Sequence, residues 1–204
     1  MTLLLFTLLL CPVSKGEVEK IIFVIDDEKR LYVYEEETLK FDFPCETGLN
    51  GMGKTREGDK KTPVGRYRII WMASKRGNNK REGAREIIDG ITWCEDSKIY
   101  YGPKGPADER LWTDAYGGDV AVVMGLDYPN EADKERGYTG DCIEIHATKR
   151  LKNGRLTPSA GCIKMFCKDA LFLYNYVDVY TPVVIARTRG DLISEYPFLR
   201  DSRR

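Results

Sequence analysis

Seven short runs rich in Val, Ile, Tyr and Phe divide this chain, at residues 20–25, 30–34, 39–43, 65–72, 120–124, 142–146 and 182–186. Turn residues (Gly, Pro, Asp) separate them, and β-branched and aromatic side chains suit a pleated, half-buried surface, so each run predicts a strand. The "DEKR" between the first two reads as a hairpin turn, so the fold opens as a meander. Only residues 168–179 show clear helical spacing, with Ala170, Leu171, Leu173, Tyr174 and Val177 lining one face. Phe166 and Cys167 precede that helix and bring no good capping oxygen, a deficit of about 1 kcal/mol. A chain of 204 residues with 42% hydrophobic content can bury one substantial core but hardly two. No internal repeat or low-complexity linker divides it, so the expectation is a mainly β, single-domain protein.

Charge excludes one class of partner. Lys+Arg 32 balance Asp+Glu 32, and basic residues alternate with acids in stretches such as "KREGARE". Nucleic-acid binders concentrate positive charge on one face, so no nucleic-acid partner is expected. Residues 1–16 carry an apolar run from Leu3 to Leu10 and then a polar break. This fits the h-region of an export signal and is too short for a stable membrane span. Ser14 and Gly16 supply small residues for a cut before Glu17, although no Lys or Arg precedes the apolar run. Lipid anchoring at Cys11 is the less favoured alternative, because the preceding Leu10 is bulky. The expected location is outside the cytoplasm, in a periplasm or cell envelope. The expected division is a signal over 1–16, a catalytic domain over 17–187 and a C-terminal extension over 188–204 that packs through Tyr196, Pro197 and Phe198. Residues 74–118 read as a long polar excursion over the sheet, with Trp93 and Trp112 filling satellite core rather than lining a cleft.

The chemistry gathers at the only histidine. His146 ends the run "DCIEIHATK", and sixteen residues later "SAGCIKM" presents Cys162 behind a glycine. A thiol becomes a nucleophile when a neighbouring base takes its proton, and only His146 can supply an imidazole. The remaining cysteines after Cys11, namely Cys45, Cys94, Cys142 and Cys167, have no C-x-x-C spacing. With one histidine they make no persuasive zinc site, so no metal or cofactor is expected. One disulfide and a set of free thiols stay open as alternatives.

Three ordered blocks resemble the L,D-transpeptidase catalytic domain, the YkuD family of cysteine enzymes acting on peptidoglycan. "GDKKTPVGRY" supplies Asp59, Thr62, Pro63, Gly65 and Tyr67; "YPNEADKERG" supplies Tyr128, Pro129, Asn130, Asp133 and Gly137. The third runs from His146 to the Ser159-Ala160-Gly161-Cys162-Ile163-Lys164 segment. Two positions depart from the family pattern: Ala160 stands where many members carry a second histidine, and Lys164 where most carry arginine. Lysine keeps the charge and loses the bidentate fork.

The resemblance implies a mixed β-sandwich or barrel-like fold with a helix after the catalytic cysteine. It also implies a Cys162 thioester formed on a peptidoglycan stem peptide with His146 as base, and backbone N–H groups of Gly161 and Cys162 facing the oxyanion. An amine or protein acceptor then gives a crosslink or an anchored product. Ser159 and Lys164 would support the site or bind substrate, and Tyr128 and Asn130 would shape its approach. The alternatives are a hydrolytic L,D-carboxypeptidase or amidase on the same scaffold, and a noncatalytic cell-wall-binding module.

Overall fold

The computed structural model describes residues 19–87, 93–95, 98–100 and 115–200. The expectations for the leader, for Cys11, and for the side chains of Trp93, Cys94 and Trp112 lie outside the described residues.

Three strands open the chain as an antiparallel meander: β1 (Lys20–Ile25), β2 (Arg30–Glu35) and β3 (Thr38–Glu46). The long strand β4 (Gly65–Ser74) follows, with β5 (Ala84–Glu86) beside it in parallel. A separate small ribbon pairs β6 (Trp93–Glu95) with β7 (Lys98–Tyr100). Then come β8 (Val122–Leu126), a short helix α1 (Glu131–Glu135) and β9 (Glu144–Thr148). A two-residue hairpin of β10 (Leu151–Lys152) and β11 (Arg155–Leu156) leads to β12 (Ile163–Phe166), helix α2 (Cys167–Tyr176) and β13 (Pro182–Ala186).

The strand order is β13-β1-β2-β3-β12-β9-β8-β4-β5, and β13 also pairs with β4. The sheet therefore closes on itself from β13 round to β4, with β5 attached outside the ring. Closure removes the exposed edges that an open sheet of this size would leave. The barrel-like expectation is met, and its parallel seams are β1 with β13 and β12 with β9.

The core lies inside the ring. Ile22, Val24, Leu31, Val33, Ile69, Met72, Met124, Ile145, Ile163, Met165 and Val183 point inward, and α2 plugs the space with Ala170, Leu173 and Tyr174. A second cluster outside β1 and β2 holds Phe23, Tyr34 and Leu199, covered by Tyr196 and Phe198. Phe23 meets the Tyr196 ring edge-on at 4.9 Å, so residues 196 and 198 pack as expected. Arg189 locks this segment by pairing with Glu28 at 2.8 Å.

Three expectations shift. The predicted strand 120–124 lies at Val122–Leu126, because a 3-10 turn takes Gly118–Val120. The predicted strand 142–146 begins at Glu144 instead, because Cys142 adopts φ +52 and its carbonyl cannot continue a ladder. The helix does not follow Cys162 directly: the four-residue strand β12 intervenes, too short for its period to be read in advance. Helix α2 begins after Phe166 with no side-chain cap, as its sequence requires.

Candidate active site

Strand β9 sorts its side chains by alternation. Ile145 and Ala147 enter the core, while Glu144 and His146 face the outside of the ring. In the parallel pairing with β12, His146 stands opposite Lys164, and Lys164 in turn stands opposite Glu46 of β3. Across β8 and β4 the same row continues as Val123 and Ala73. The next row holds Trp71, Gly125 and Glu144. Cys162, just ahead of β12, extends that row beside Glu144, whose N–H favours the thiolate. Register partners share a face of the sheet, so Cys162 and His146 are diagonal neighbours on one face.

The turn that presents Cys162 is cross-braced. Ser159 Oγ accepts the Gly161 N–H at 2.9 Å and donates to the Cys162 carbonyl at 2.6 Å. The end of β3 grips the same turn: the Ser159 N–H donates to Thr47 O at 2.8 Å, and the Leu49 N–H to Ser159 O at 2.9 Å. Thr62, from the "KKTPVG" block, accepts the Gly48 N–H and donates to Gly161 O, both at 2.8 Å. Gly161 itself has φ +142, and a Cβ there would sit 2.9 Å from the Lys61 carbonyl, so the position requires glycine. Asp59 organises the loop before Thr62 by accepting the N–H groups of Thr55, Arg56 and Lys61. Despite burial, these bonds and Lys54 hold its carboxyl down at about 2.

The Gly161 N–H is thus committed to Ser159 and is not an open oxyanion donor in this conformation, a correction to the sequence expectation. The cause is the short Ser159 side chain, which folds back onto its own turn. The Cys162 amide is left as the candidate donor.

His146 is 6% exposed, and its Nδ1 donates to the Ala147 carbonyl at 2.8 Å. That carbonyl is the orienting group that sequence alone could not name. Burial drives the His146 pKa down to about 4, with Lys164 adding to the fall and the Ala147 and Ala115 carbonyls opposing it. The ring is therefore neutral at pH 7, the form that accepts a proton. Burial also pushes the Cys162 thiol up, with the Glu144 charge next in importance. Cys162 remains partly exposed, and its S–H donates to the Cys142 carbonyl at 3.3 Å. No hydrogen bond joins Cys162 to His146 in this arrangement among the described residues, so the pair rests as thiol and neutral imidazole.

Other predicted residues serve the frame. Lys164 Nζ donates to the Pro158 carbonyl at 3.1 Å and lies near Thr157 Oγ1 at 3.4 Å. Tyr128 is fully buried, with its hydroxyl donating to Thr139 O. Asn130 caps α1 in a reciprocal box with Asp133 and donates to Arg66 O. Both side chains are spent on holding the segment ahead of β9, unlike the approach-shaping role expected of them.

Two residues escaped the sequence reading. Glu144 is 4% exposed on the reactive face, and burial lifts its carboxyl to about 8 against a hydrogen bond from Tyr116. The Tyr116 ring lies 4.8 Å from the His146 ring at 48°. Glu144 could have been found from its place two residues before His146 on an alternating strand; Tyr116 offered no such signal. Among the described residues the other cysteines, Cys45, Cys142 and Cys167, are thiols rather than disulfides: burial pushes Cys45 up to about 12, and Cys167 donates to Thr148 O at 3.4 Å. Among the described residues no group of three or more His, Cys, Asp or Glu is placed to hold a metal, and no helix is long and apolar enough to cross a membrane.

Residues 19–185 match the family described as the L,D-transpeptidase catalytic domain, YkuD. The chain belongs to the L,D-transpeptidase catalytic-domain family. No curated protein matches the sequence significantly. Among solved structures, Bd1075 of Bdellovibrio bacteriovorus is 21% identical with a TM-score of 0.53, covering 84% of this chain and 48% of that one. Pgp2 of Campylobacter jejuni, a helical cell shape determining protein, is 26% identical with a TM-score of 0.52, covering 83% and 49%. An L,D-transpeptidase from Stackebrandtia nassauensis is 14% identical with a TM-score of 0.45, covering 89% and 61%. This L,D-transpeptidase-family chain spans about half the length of the first two relatives.

Proposed function

We propose that this protein is an exported L,D-transpeptidase of peptidoglycan stem peptides, working through a Cys162 thioester in a periplasm or cell envelope. The observation that carries the reading is the placement of Cys162 and a neutral, carbonyl-anchored His146 on one face of the paired strands β9 and β12. Membership of the L,D-transpeptidase family supports the substrate class.

In this mechanism the thiol leaves the Cys142 carbonyl by rotation about Cα–Cβ and gives its proton to Nε2 of His146 as sulfur attacks the peptide carbonyl. A preformed thiolate–imidazolium pair is not required, because burial disfavours both charged forms at once. The Cys162 N–H donates to the developing oxyanion. The imidazolium returns its proton to the departing amine, leaving a thioester. An acceptor amine, on a second stem peptide or a protein, then attacks the thioester, loses its proton to His146 and restores the thiol. Water in place of the amine gives L,D-carboxypeptidase chemistry on the same route. The catalytic domain would occupy residues 17–187, after a cleaved signal and before the packed extension. The likeness to Pgp2, a cell-shape protein, extends the proposal to a part in cell shape.

The test is mass spectrometry of tetrapeptide muropeptides incubated with the purified protein. Crosslinked products support transpeptidation, and shortened stems support hydrolysis. Unchanged fragments contradict both and favour a wall-binding module.

A further inference from the structure

The face that carries Cys162 and His146 also buries a carboxyl group that the mechanism above does not use. Glu144 shares its row with Cys162 on one side and with Gly125 and Trp71 on the other. Gly125 is glycine because the Trp71 indole lies across it: a Cβ there would meet Nε1 at 2.0 Å. The register sets Glu144 beside Gly125 and the indole lying across it, and the Tyr116 hydroxyl donates to the carboxyl. Tyr116 in turn rests its ring on His146. The Glu144 main chain also lies beside Cys162, where its N–H favours the thiolate. One residue thus reaches both members of the pair, through its backbone to Cys162 and through Tyr116 to the imidazole.

We propose that Glu144 is a positioning and tuning residue for the Cys162–His146 pair: with Tyr116 it clamps the imidazole, and the charge state of its carboxyl sets how readily Cys162 gives up its proton. While neutral, Glu144 leaves the thiolate unopposed. Once ionised, it places a negative charge beside the sulfur and resists thiolate formation. The proposal rests on Cys162 as the reacting thiol, and its readout is chosen to be independent of peptidoglycan.

The groups facing Glu144 set the sign. Tyr116, from the turn before β8, donates to the carboxyl and favours its ionised form; Asp141, on the approach to β9, opposes it. Cys162 couples to Glu144 and, more weakly, to Cys142 and Lys164. His146 lies two residues along β9, and Lys164 faces it from β12. The β8 and β4 neighbours, Gly125 and Trp71, do not titrate. Glu144 ionises around pH 8, so its effect falls on the alkaline side, where a thiol would otherwise gain reactivity steadily.

The experiment measures iodoacetamide alkylation of Cys162 from pH 6 to 10, read on the Cys162 peptide by mass spectrometry, in wild type, Glu144→Gln and Tyr116→Phe. In Glu144→Gln the ratio of the rate at pH 9.5 to that at pH 6.5 rises about tenfold over wild type, the effect of one pKa unit at the thiol. In Tyr116→Phe the carboxyl loses the bond favouring its ionised form, so the break in the profile moves to higher pH. Equal ratios in wild type and Glu144→Gln overturn the proposal. If Glu144→Gln does not fold, Tyr116→Phe decides: an unmoved break overturns it, and an upward shift upholds it. Muropeptide products are assayed in parallel, so inertness on peptidoglycan with the predicted alkylation profile refutes the substrate reading and leaves the Glu144 role standing.

Discussion

His146 and Lys164 stand in one row across β9 and β12, yet their expected mutational effects differ in kind. A general base contributes about 10²- to 10⁴-fold in favourable cases, so His146→Ala lowers carbapenem acylation of Cys162 by that order. The fold persists with a modest loss of melting temperature, because the bond to the adjacent Ala147 carbonyl and the packing against the Tyr116 ring are lost together. Intact-mass kinetics and a thermal melt on the same preparation check this, and equal acylation rates would make His146 structural. The Lys164 charge lowers the pKa values of His146 and Cys162, and its ammonium donates to the Pro158 carbonyl. Lys164→Ala therefore slows turnover severalfold, whereas Lys164→Arg preserves it, because guanidinium keeps the charge and adds donors. Steady-state rates on a tetrapeptide muropeptide decide; unchanged activity in the alanine variant would reduce Lys164 to a solvated residue. At this scale the sequence disclosed the reacting types and little of their surroundings. A lone imidazole and a glycine-framed thiol are legible because few residues can do such chemistry. The Ala147 carbonyl and Tyr116 are not, because a backbone acceptor has no letter of its own and Tyr116 reaches His146 from a distant turn.

At the scale of elements, the position of Cys162 depends on three segments meeting at one turn: the end of β3, the loop before β4 and the lead into β12. Thr62 is the joint, since its hydroxyl serves Gly48 N–H and Gly161 O together. Thr62→Val keeps the shape and leaves a buried N–H without its partner, at a cost of about 1–3 kcal/mol. Urea unfolding should show that loss, and Cys162 acylation should fall with it because the turn is no longer tied to the loop. Full stability in the valine variant would mean that the β3 contacts alone hold the turn. The "KKTPVG" block was visible in the sequence as a family-like motif, but its work as a brace for Cys162 lies ninety-nine positions away along the chain. Strand existence was read well because alternation and β-branched content are local properties. Boundaries at β9 and the existence of β12 were not, since a positive φ at Cys142 and a four-residue strand are decided by tertiary contacts.

For the whole molecule, the ring of strands buries two oppositely perturbed groups on one face, and their linkage to folding has opposite signs. His146 is held neutral in the folded state, with a pKa near 4, so stability rises with pH from about 4 to its unfolded value of 6.5. Glu144 is held protonated up to about 8, so the folded state keeps a proton that the unfolded chain releases above 4.5, and stability falls with pH through that window. Between 4.5 and 6.5 the two trends offset each other. From 6.5 to 8 only the Glu144 loss remains, of order 2 kcal/mol from about 1.4 kcal/mol per unit. Thermal melts should therefore decline across pH 6.5–8 in wild type and flatten in Glu144→Gln; an equal decline in both would remove Glu144 from the account. The closed ring was foreseen as barrel-like only through family resemblance, because the β13–β4 and β3–β12 pairings join segments whose local sequence says nothing about one another.

The most direct test of the central claim is mass spectrometry of the protein and its substrate together: tetrapeptide muropeptides with wild type and with Cys162→Ala. An acyl adduct on the Cys162 peptide is expected, with crosslinked or trimmed fragments in wild type and neither in the alanine variant. Fragments processed equally by both proteins, or an adduct on Cys142 or Cys167 with Cys162 unmodified, would contradict it.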